Sequence, residues 1–221
     1  ALQLGMPNGY NQNGDANDIS HAPGYPGASP ADPSTNTPTY TDQPNATGKY
    51  SRPTTALYLN RSTPEFILTY AETQLLLAEA AVRGWSVGAD AATHYKNGLS
   101  GALQSYGTFN SVGAIDAATA DSYALTHPLD VSSMDNSLKQ INTQFWITTG
   151  TLFNFSEAWN NWRRSGYPVL TPVNYAGNFS NGTIPRRFIY PSSEPTVNGA
   201  NYTTAVNSLT GGDQYTSRMY W

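Results

Sequence analysis

The segment from Ser62 to Gly107 limits the fold more than any other, because it alone reads as two consecutive capped helices with apolar stripes. Ser62 or Thr63 can act as N-cap, Pro64 stands at the first helical position where a missing amide hydrogen costs nothing, and Glu65 lies beside the positive helix end. From Ile67 the residues Ala71, Leu75, Ala78 and Val82 recur at steps of three and four. Phe66, Tyr70, Leu77 and Ala81 join them, which predicts a wide buried face. Glu65, Thr69, Glu72, Glu79 and Arg83 are then left for water, with Glu79 and Arg83 forming a favourably oriented i,i+4 pair, and Gly84 ends the helix. After a short link, Asp90 caps a second helix with the stripe Ala92, Tyr95, Leu99, Ala102, Leu103 and Tyr106, stopped by Gly107. Gly98 and Gly101 each cost that helix about 1 kcal/mol relative to Ala, so their presence predicts close packing on the first helix. A short link makes the pair antiparallel, and a hairpin of this size needs neighbours to cover its faces.

The flanking sequence is of two kinds. Residues 1 to about 56 lack periodicity and are crowded with turn formers, as in NQNGDAND and HAPGYPGASPADPS. Tyrosines at 10, 25, 40 and 50 predict that this loop is fastened to something, since rings are uncommon where nothing packs. Beyond the hairpin, Asp116 to Leu125 predicts a short helix stopped by His127-Pro128. Another helix, with Met134, Leu138, Ile141, Phe145 and Thr148 on one face, ends near Gly150. A third runs from Asn154 or Ser156 to Ser165, with Gly166 as its stop and Arg163 and Arg164 in a last turn that favours positive charge. After Tyr167 the chain is irregular, with one strand-like run at Ile184 to Tyr190 and a last short helix in ANYTTAVNSL. The expected fold class is mostly α, with helical hairpins, long irregular loops and little β.

Composition removes several function classes. Only 12% of residues are charged, the net charge is −4, and the sole basic clusters are the pairs Arg163-Arg164 and Arg186-Arg187, so nucleic acid is not an expected partner. Those pairs are expected to bind carboxylates or helix ends within the fold. Cysteine is absent, which excludes disulfides, thiolate metal sites and Cys nucleophiles. His21, His94 and His127 share no metal-ligand spacing, and no G-x-S-x-G elbow, P-loop or dinucleotide glycine pattern occurs. No metal and no cofactor is expected. Asp15, Asn17 and Asp18 offer oxygen ligands, but Pro26 stands where an EF-hand would place its bidentate Glu, and Asx-turn chemistry accounts for the same residues. Among carboxylates, Glu157 beside Trp159 is the single candidate for glycosidase chemistry, against a structural role at a helix start. What remains is a neutral surface rich in aromatics and amides. Sugars stack their C–H faces on such rings and match their hydroxyls to such amides, and Tyr10, Tyr25, Tyr40, Tyr175 and Tyr202 are the candidates by composition.

Several strings carry more than composition. LTYAETQLLLAEAAVRGW at 68–85, HYKNGLSGAL at 94–103, QINTQFWITTGTLFNFSEAWNNWRRSGYP at 140–168, IPRRFIYPSSE at 184–194 and GGDQYTSRMYW at 211–221 resemble the SusD/RagB-like nutrient-binding lipoproteins of the Bacteroidota outer membrane. The resemblance implies tetratricopeptide-like hairpins and a non-enzymatic cell-surface role as the lid of a SusC-like TonB-dependent transporter. The implied ligand is an oligosaccharide or, in the RagB-like branch, a peptide. It also implies lipid anchoring through a segment not in this sequence. The whole chain, residues 1–221, is then a single region corresponding to the C-terminal half of a longer protein. Its parts would be a loop-rich 1–56, a hairpin at 57–107, further helices at 108–166 and a loop-rich 167–221. The N-terminal half of the same protein, or a second chain, is expected to cover Phe66, Tyr70 and Leu77. Trp159, Trp162, Arg163 and Tyr167 are expected to lock a helix turn, and Tyr10, Tyr25 and Tyr40 of the opening loop are the expected ligand contacts. A glycoside hydrolase using Glu157 and a scaffold for protein partners are the competing classes.

Overall fold

The computed structural model describes residues 4, 5, 7–11, 15–22, 25, 50, 51, 53–172 and 177–219. The chain divides into two compact units, one spanning Pro53–Leu170 and one made of the flanking segments Ala1–Arg52 and Thr171–Trp221. Both are helical or irregular, and the described residues contain isolated β-bridges but no strand. The mostly α class is therefore as expected.

The central unit contains α1 (Thr55–Tyr58), α2 (Tyr70–Val82), α3 (Ala91–Ser105), α4 (Ala117–Thr126), α5 (Met134–Thr151) and α6 (Phe155–Ser165). The start of α2 differs from the expectation built on Pro64. Asn60 closes a turn of its own, its side chain accepting from the Ser62 amide and its carbonyl from the Thr63 hydroxyl. The chain then stays non-helical through bends at Ile67 and Leu68 while Phe66 packs edge-on against Phe109. The helix begins only where a capping box closes: the Glu72 amide donates to Thr69 Oγ1 at 3.1 Å, and the Thr69 amide and hydroxyl both donate to Glu72 Oε2 at 2.7 Å. Ile67, the residue from which the buried stripe was read, is accordingly exposed, as is Leu68 beside it.

Helices α2 and α3 lie antiparallel, with His94 bonded to Gln74, Gly98 against Leu75 and Gly101 against Tyr70. A Cβ on Gly98 would meet Leu75 Cγ at 2.8 Å, and one on Gly101 would meet Tyr70 Cδ1 at 2.7 Å. The two glycines thus serve the close approach that their helix cost foretold. Asp90, Asp116 and Ser133 cap α3, α4 and α5 through the amides of Thr93, Thr119 and Asn136. Asn154 caps α6, and Gly166 closes it in the left-handed region at φ 76°. Helix α2 packs on α3 and α5, α3 on α4, and α5 on α6. Leu75, Tyr95, Leu99, Ala124, Leu129, Ile141 and Phe145 form the core, each large apolar side chain contributing about 1.5–3 kcal/mol. A smaller cluster joins Leu57, Phe109 and Leu152. Ala92 and Met134, both placed on buried stripes, face outward.

The charged residues of α2 are the largest departure. Glu72 and Glu79, read as water-facing, are 1% and 4% exposed. Glu72 is consumed by the cap. Glu79 accepts from both terminal guanidinium nitrogens of Arg164, at 2.6 and 2.7 Å, and from Arg83 Nε at 2.9 Å. Arg164 also reaches Asn142 and Asn161, which bond each other at 3.0 Å, so α2, α5 and α6 are tied through one polar network. Trp162 donates to the Pro168 carbonyl, Arg163 lies 3.9 Å over the Trp159 ring, and the Tyr167 hydroxyl donates to Asp135. These are the turn-locking roles expected of that motif.

In the other unit, Ile19, Ala22 and Tyr50 are buried together under Tyr10 and Tyr25. The run Ile184–Tyr190, read as strand-like, is irregular, because the Arg186 and Arg187 amides both donate to the single carbonyl of Tyr215 in place of a ladder. Helices α7 (Glu194–Val197) and α8 (Gly199–Asn207) follow, and Asp213 of the GGD turn gathers the Arg187 guanidinium, the Tyr190 amide and the Tyr202 hydroxyl. Gly211 and Gly212 carry positive φ there, which explains why the turn needs two glycines.

Candidate functional site

An open groove of about 430 Å³ lies between the start of α2, the outer face of α3 and α4. Its aromatic wall is Tyr70, the first residue of α2, which is 60% exposed. The ring rests against the bare backbone of Gly101, where any side chain would displace it. The polar wall comes from residues one helical turn apart on α3, Asn97, Ser100 and Gln104, and from Asp121 of α4. Ser100 is buried and donates its hydroxyl to Asp121 Oδ1 at 2.6 Å, while Gln104 donates to the same hydroxyl oxygen at 2.9 Å. This chain of bonds fixes the carboxylate and the amide relative to the ring. The second Asp121 oxygen, the Gln104 carbonyl and the Asn97 side chain take no further hydrogen bond among the described residues. The lining includes a carboxylate and no cation.

A second concavity, about 370 Å³, lies between Phe66, Phe153 and Phe155, whose rings continue a series from Phe109 toward the surface. Its lining also carries the polar side chains of Glu65, Asn154 and Ser156, of which Asn154 is taken up in capping α6.

The residues singled out from sequence fall elsewhere. Tyr10 and Tyr25 are half-buried over Ile19, Ala22 and Tyr50, with Tyr25 and Tyr50 6.2 Å apart. The Tyr25 and Tyr50 hydroxyls are buried without a hydrogen-bond partner among the described residues, and burial, then Asp18, pushes the Tyr25 phenol up. Tyr40 and Tyr175 lie outside the described residues. Tyr202 is held by Asp213 and packs edge-on against Tyr190. Asp15 accepts from the Asn17 amide at 2.7 Å and from the Asn11 side chain, the Asx-turn arrangement preferred over a cation loop. Glu157 accepts from Asn160 in the first turn of α6, a structural position. The groove escaped sequence reading because Tyr70 fits an apolar stripe, and nothing local tells a covered ring from an uncovered one. The available signal was Gly101, a helix-interior glycine one turn from Asn97.

Comparison with known proteins gives a consistent set of relatives. A SusD-like family model, described as "Starch-binding associating with outer membrane", matches residues 11–191. Among solved structures the chain is similar to a chitin-binding protein at 39% identity and a TM-score of 0.63, over 73% of this chain and 34% of that one. It is similar to a SusD-like protein of Bacteroidetes AC2a at 31% identity and a TM-score of 0.62, over 74% and 31% of the two chains. A chitin-binding SusD homolog from Flavobacterium johnsoniae shares 28% identity and a TM-score of 0.51, over 68% and 35%. The chain thus spans about a third of the length of these structures. No curated protein matches it.

Proposed function

The chain belongs to the SusD-like family, and from that premise we propose that it captures oligosaccharides at the bacterial outer-membrane surface for uptake. The observation that carries the reading is the 39% identity, over 73% of this chain, to a protein described as chitin-binding. The Flavobacterium johnsoniae relative, described in the same terms, makes β-linked amino-sugar oligomers the first ligand class to test. A chain with 12% aromatic and 12% charged residues suits a neutral ligand that is recognised by stacking and amide hydrogen bonds.

In this reading the protein delivers its ligand as the lid of a SusC-like TonB-dependent transporter, completed by the N-terminal half of the same protein and held to the membrane by a lipid anchor. No helix among the described residues is long and apolar enough to cross a membrane. Tyr10, Tyr25 and Tyr40 are proposed contacts of the opening loop, and Tyr10 and Tyr25 each keep part of their surface exposed.

Isothermal titration of the 221-residue chain with chito-oligosaccharides, malto-oligosaccharides and a mixed peptide pool tests this directly. Chito-oligosaccharides should bind at least about tenfold tighter than the others, a difference of about 1.4 kcal/mol. Binding of peptides alone would overturn glycan capture in favour of peptide uptake. Chito-oligosaccharide affinity undiminished after Tyr10, Tyr25 and Tyr40 are all changed to Ala would remove the loop tyrosines from the contact set.

A further inference from the structure

We propose that the Asn8-Gly9 peptide is a site of spontaneous deamidation, a self-modification that places a new carboxylate or an isoaspartyl linkage two residues before Tyr10. The reacting groups all belong to two consecutive residues, so ring closure depends neither on what covers the rest of the chain nor on the glycan reading.

Asn-Gly occurs at 8–9, 13–14, 97–98, 181–182 and 198–199, of which 13–14 lies outside the described residues. A glycine after asparagine leaves the attacking peptide nitrogen without a neighbouring Cβ to obstruct it. What separates the pairs is how firmly that nitrogen and the carboxamide are held. Gly98 lies buried inside α3, where a helical amide donates to the carbonyl four residues back, so the nitrogen is engaged and the backbone fixed. The Asn198 carboxamide is held at both ends, its Nδ2 donating to Glu194 at 3.1 Å and its Oδ1 accepting from Asn201 at 2.7 Å. Asn181 and Gly182 sit in a turn pinned on either side, by the Asn181 amide on the Asn178 carbonyl and the Thr183 amide on the Ser180 carbonyl.

At Asn8 the arrangement is the reverse. The Gly9 amide donates to Asn8 Oδ1 at 2.9 Å, and no backbone carbonyl among the described residues takes it. The nucleophile therefore already rests against the group it attacks, the near-attack arrangement in which proximity raises rate most. Gly9 holds this turn at φ 90°, a conformation that side-chain-bearing residues rarely adopt. Hydroxide removes the Gly9 amide proton, the nitrogen's electron pair forms a bond to Asn8 Cγ, and the Cγ–Nδ2 bond breaks. The amino group takes a proton from water and leaves as ammonia. Water then opens the succinimide at either carbonyl, giving Asp or isoaspartate, with solvent as the only co-reactant. The net charge of −4 becomes one unit more negative, and the isoaspartyl product adds one carbon to the main chain ahead of Tyr10.

The test is incubation of the full chain in mildly alkaline buffer, folded and in concentrated urea, followed by peptide mass spectrometry. Chymotryptic cleavage after Tyr10 separates Asn8 from Asn13. In the folded chain Asn8 should convert at least about tenfold faster than Asn97 or Asn198, and faster than Asn181, since ångström-scale misplacement of reacting groups can cost about a hundredfold. Urea should remove most of that difference by speeding Asn97 and Asn198. Asn8→Gln should abolish conversion of the first peptide over the same period, because closure would need a larger ring. Conversion of folded Asn8 no faster than that of Asn97 and Asn198, overtaking by Asn181, or a ranking that urea leaves unchanged would overturn the proposal.

Discussion

At Glu79 two consequences of burial oppose each other. Loss of solvent pushes its carboxyl up, but hydrogen bonds and charge from Arg164, then Arg83, outweigh that and hold it below the ordinary carboxylate value. A Glu held below its unfolded value of about 4.3 contributes stability that is fully present above that pH and is lost as pH falls through the lower folded value. Glu79→Gln should therefore cost about 2–3 kcal/mol at neutral pH, read as a lower urea midpoint, because Arg164 and Arg83 lose a shared acceptor. The gap between parent and variant should close on acidification below the unfolded Glu value; a constant gap would show that Glu79 acts through packing alone. Half of this arrangement was legible: Glu79 and Arg83 stand four apart on a helix, and the pair forms at 2.8 Å. The stronger partner, Arg164, lies 85 residues away, where no local pattern reaches. The expectation that the Arg163-Arg164 and Arg186-Arg187 pairs serve carboxylates inside the fold was nevertheless met by Glu79 and Asp213.

At the scale of elements, helix ends and close approaches are read from short-range chemistry, and most were visible in the sequence. Asp90, Asp116 and Asn154 cap where expected, and Gly166 terminates α6. The start of α2 was misplaced because Pro64 and Thr69 both offer valid beginnings, and the choice depends on Phe66 finding Phe109, over 40 residues on. The same dependence hid the groove, since Tyr70 is periodic with the core yet exposed. Gly98 and Gly101 look alike in sequence, but their neighbours differ in freedom to move. Gly98→Ala would set a methyl 2.8 Å from the Cγ of Leu75, a side chain with no exposed surface to retreat into. Overpacking of this kind costs about 1–3 kcal/mol and exceeds the helix-propensity gain of about 1 kcal/mol, so Gly98→Ala should lower the thermal midpoint. A midpoint equal to or above the parent's would mean that α2 and α3 can separate slightly, and that the glycine is not required for their packing.

For the whole molecule, connectivity separates a unit drawn from one continuous stretch from a unit assembled out of two distant ones. Pro53–Leu170 contains its own core around Leu75, Leu99, Ile141 and Phe145, its own smaller cluster at Leu57, Phe109 and Leu152, and both ends of the Glu79–Arg164 pair. Its largest pairings, of α2 with α3, α3 with α4 and α5 with α6, join helices that are neighbours in sequence, so little loop-closure entropy opposes them. The other unit must bring Ala1–Arg52 together with Thr171–Trp221 across that whole stretch, and its largest described cluster is the small group around Ile19. Residues 53–170 expressed alone should therefore keep their helical circular dichroism and unfold in one cooperative transition, with a midpoint that still falls when Glu79 is changed to Gln. A non-cooperative melt, or insensitivity to Glu79→Gln, would show that the flanking segments are needed to organise the helices. It would also mean that Tyr70 and Asp121 depend on them for their places in the groove.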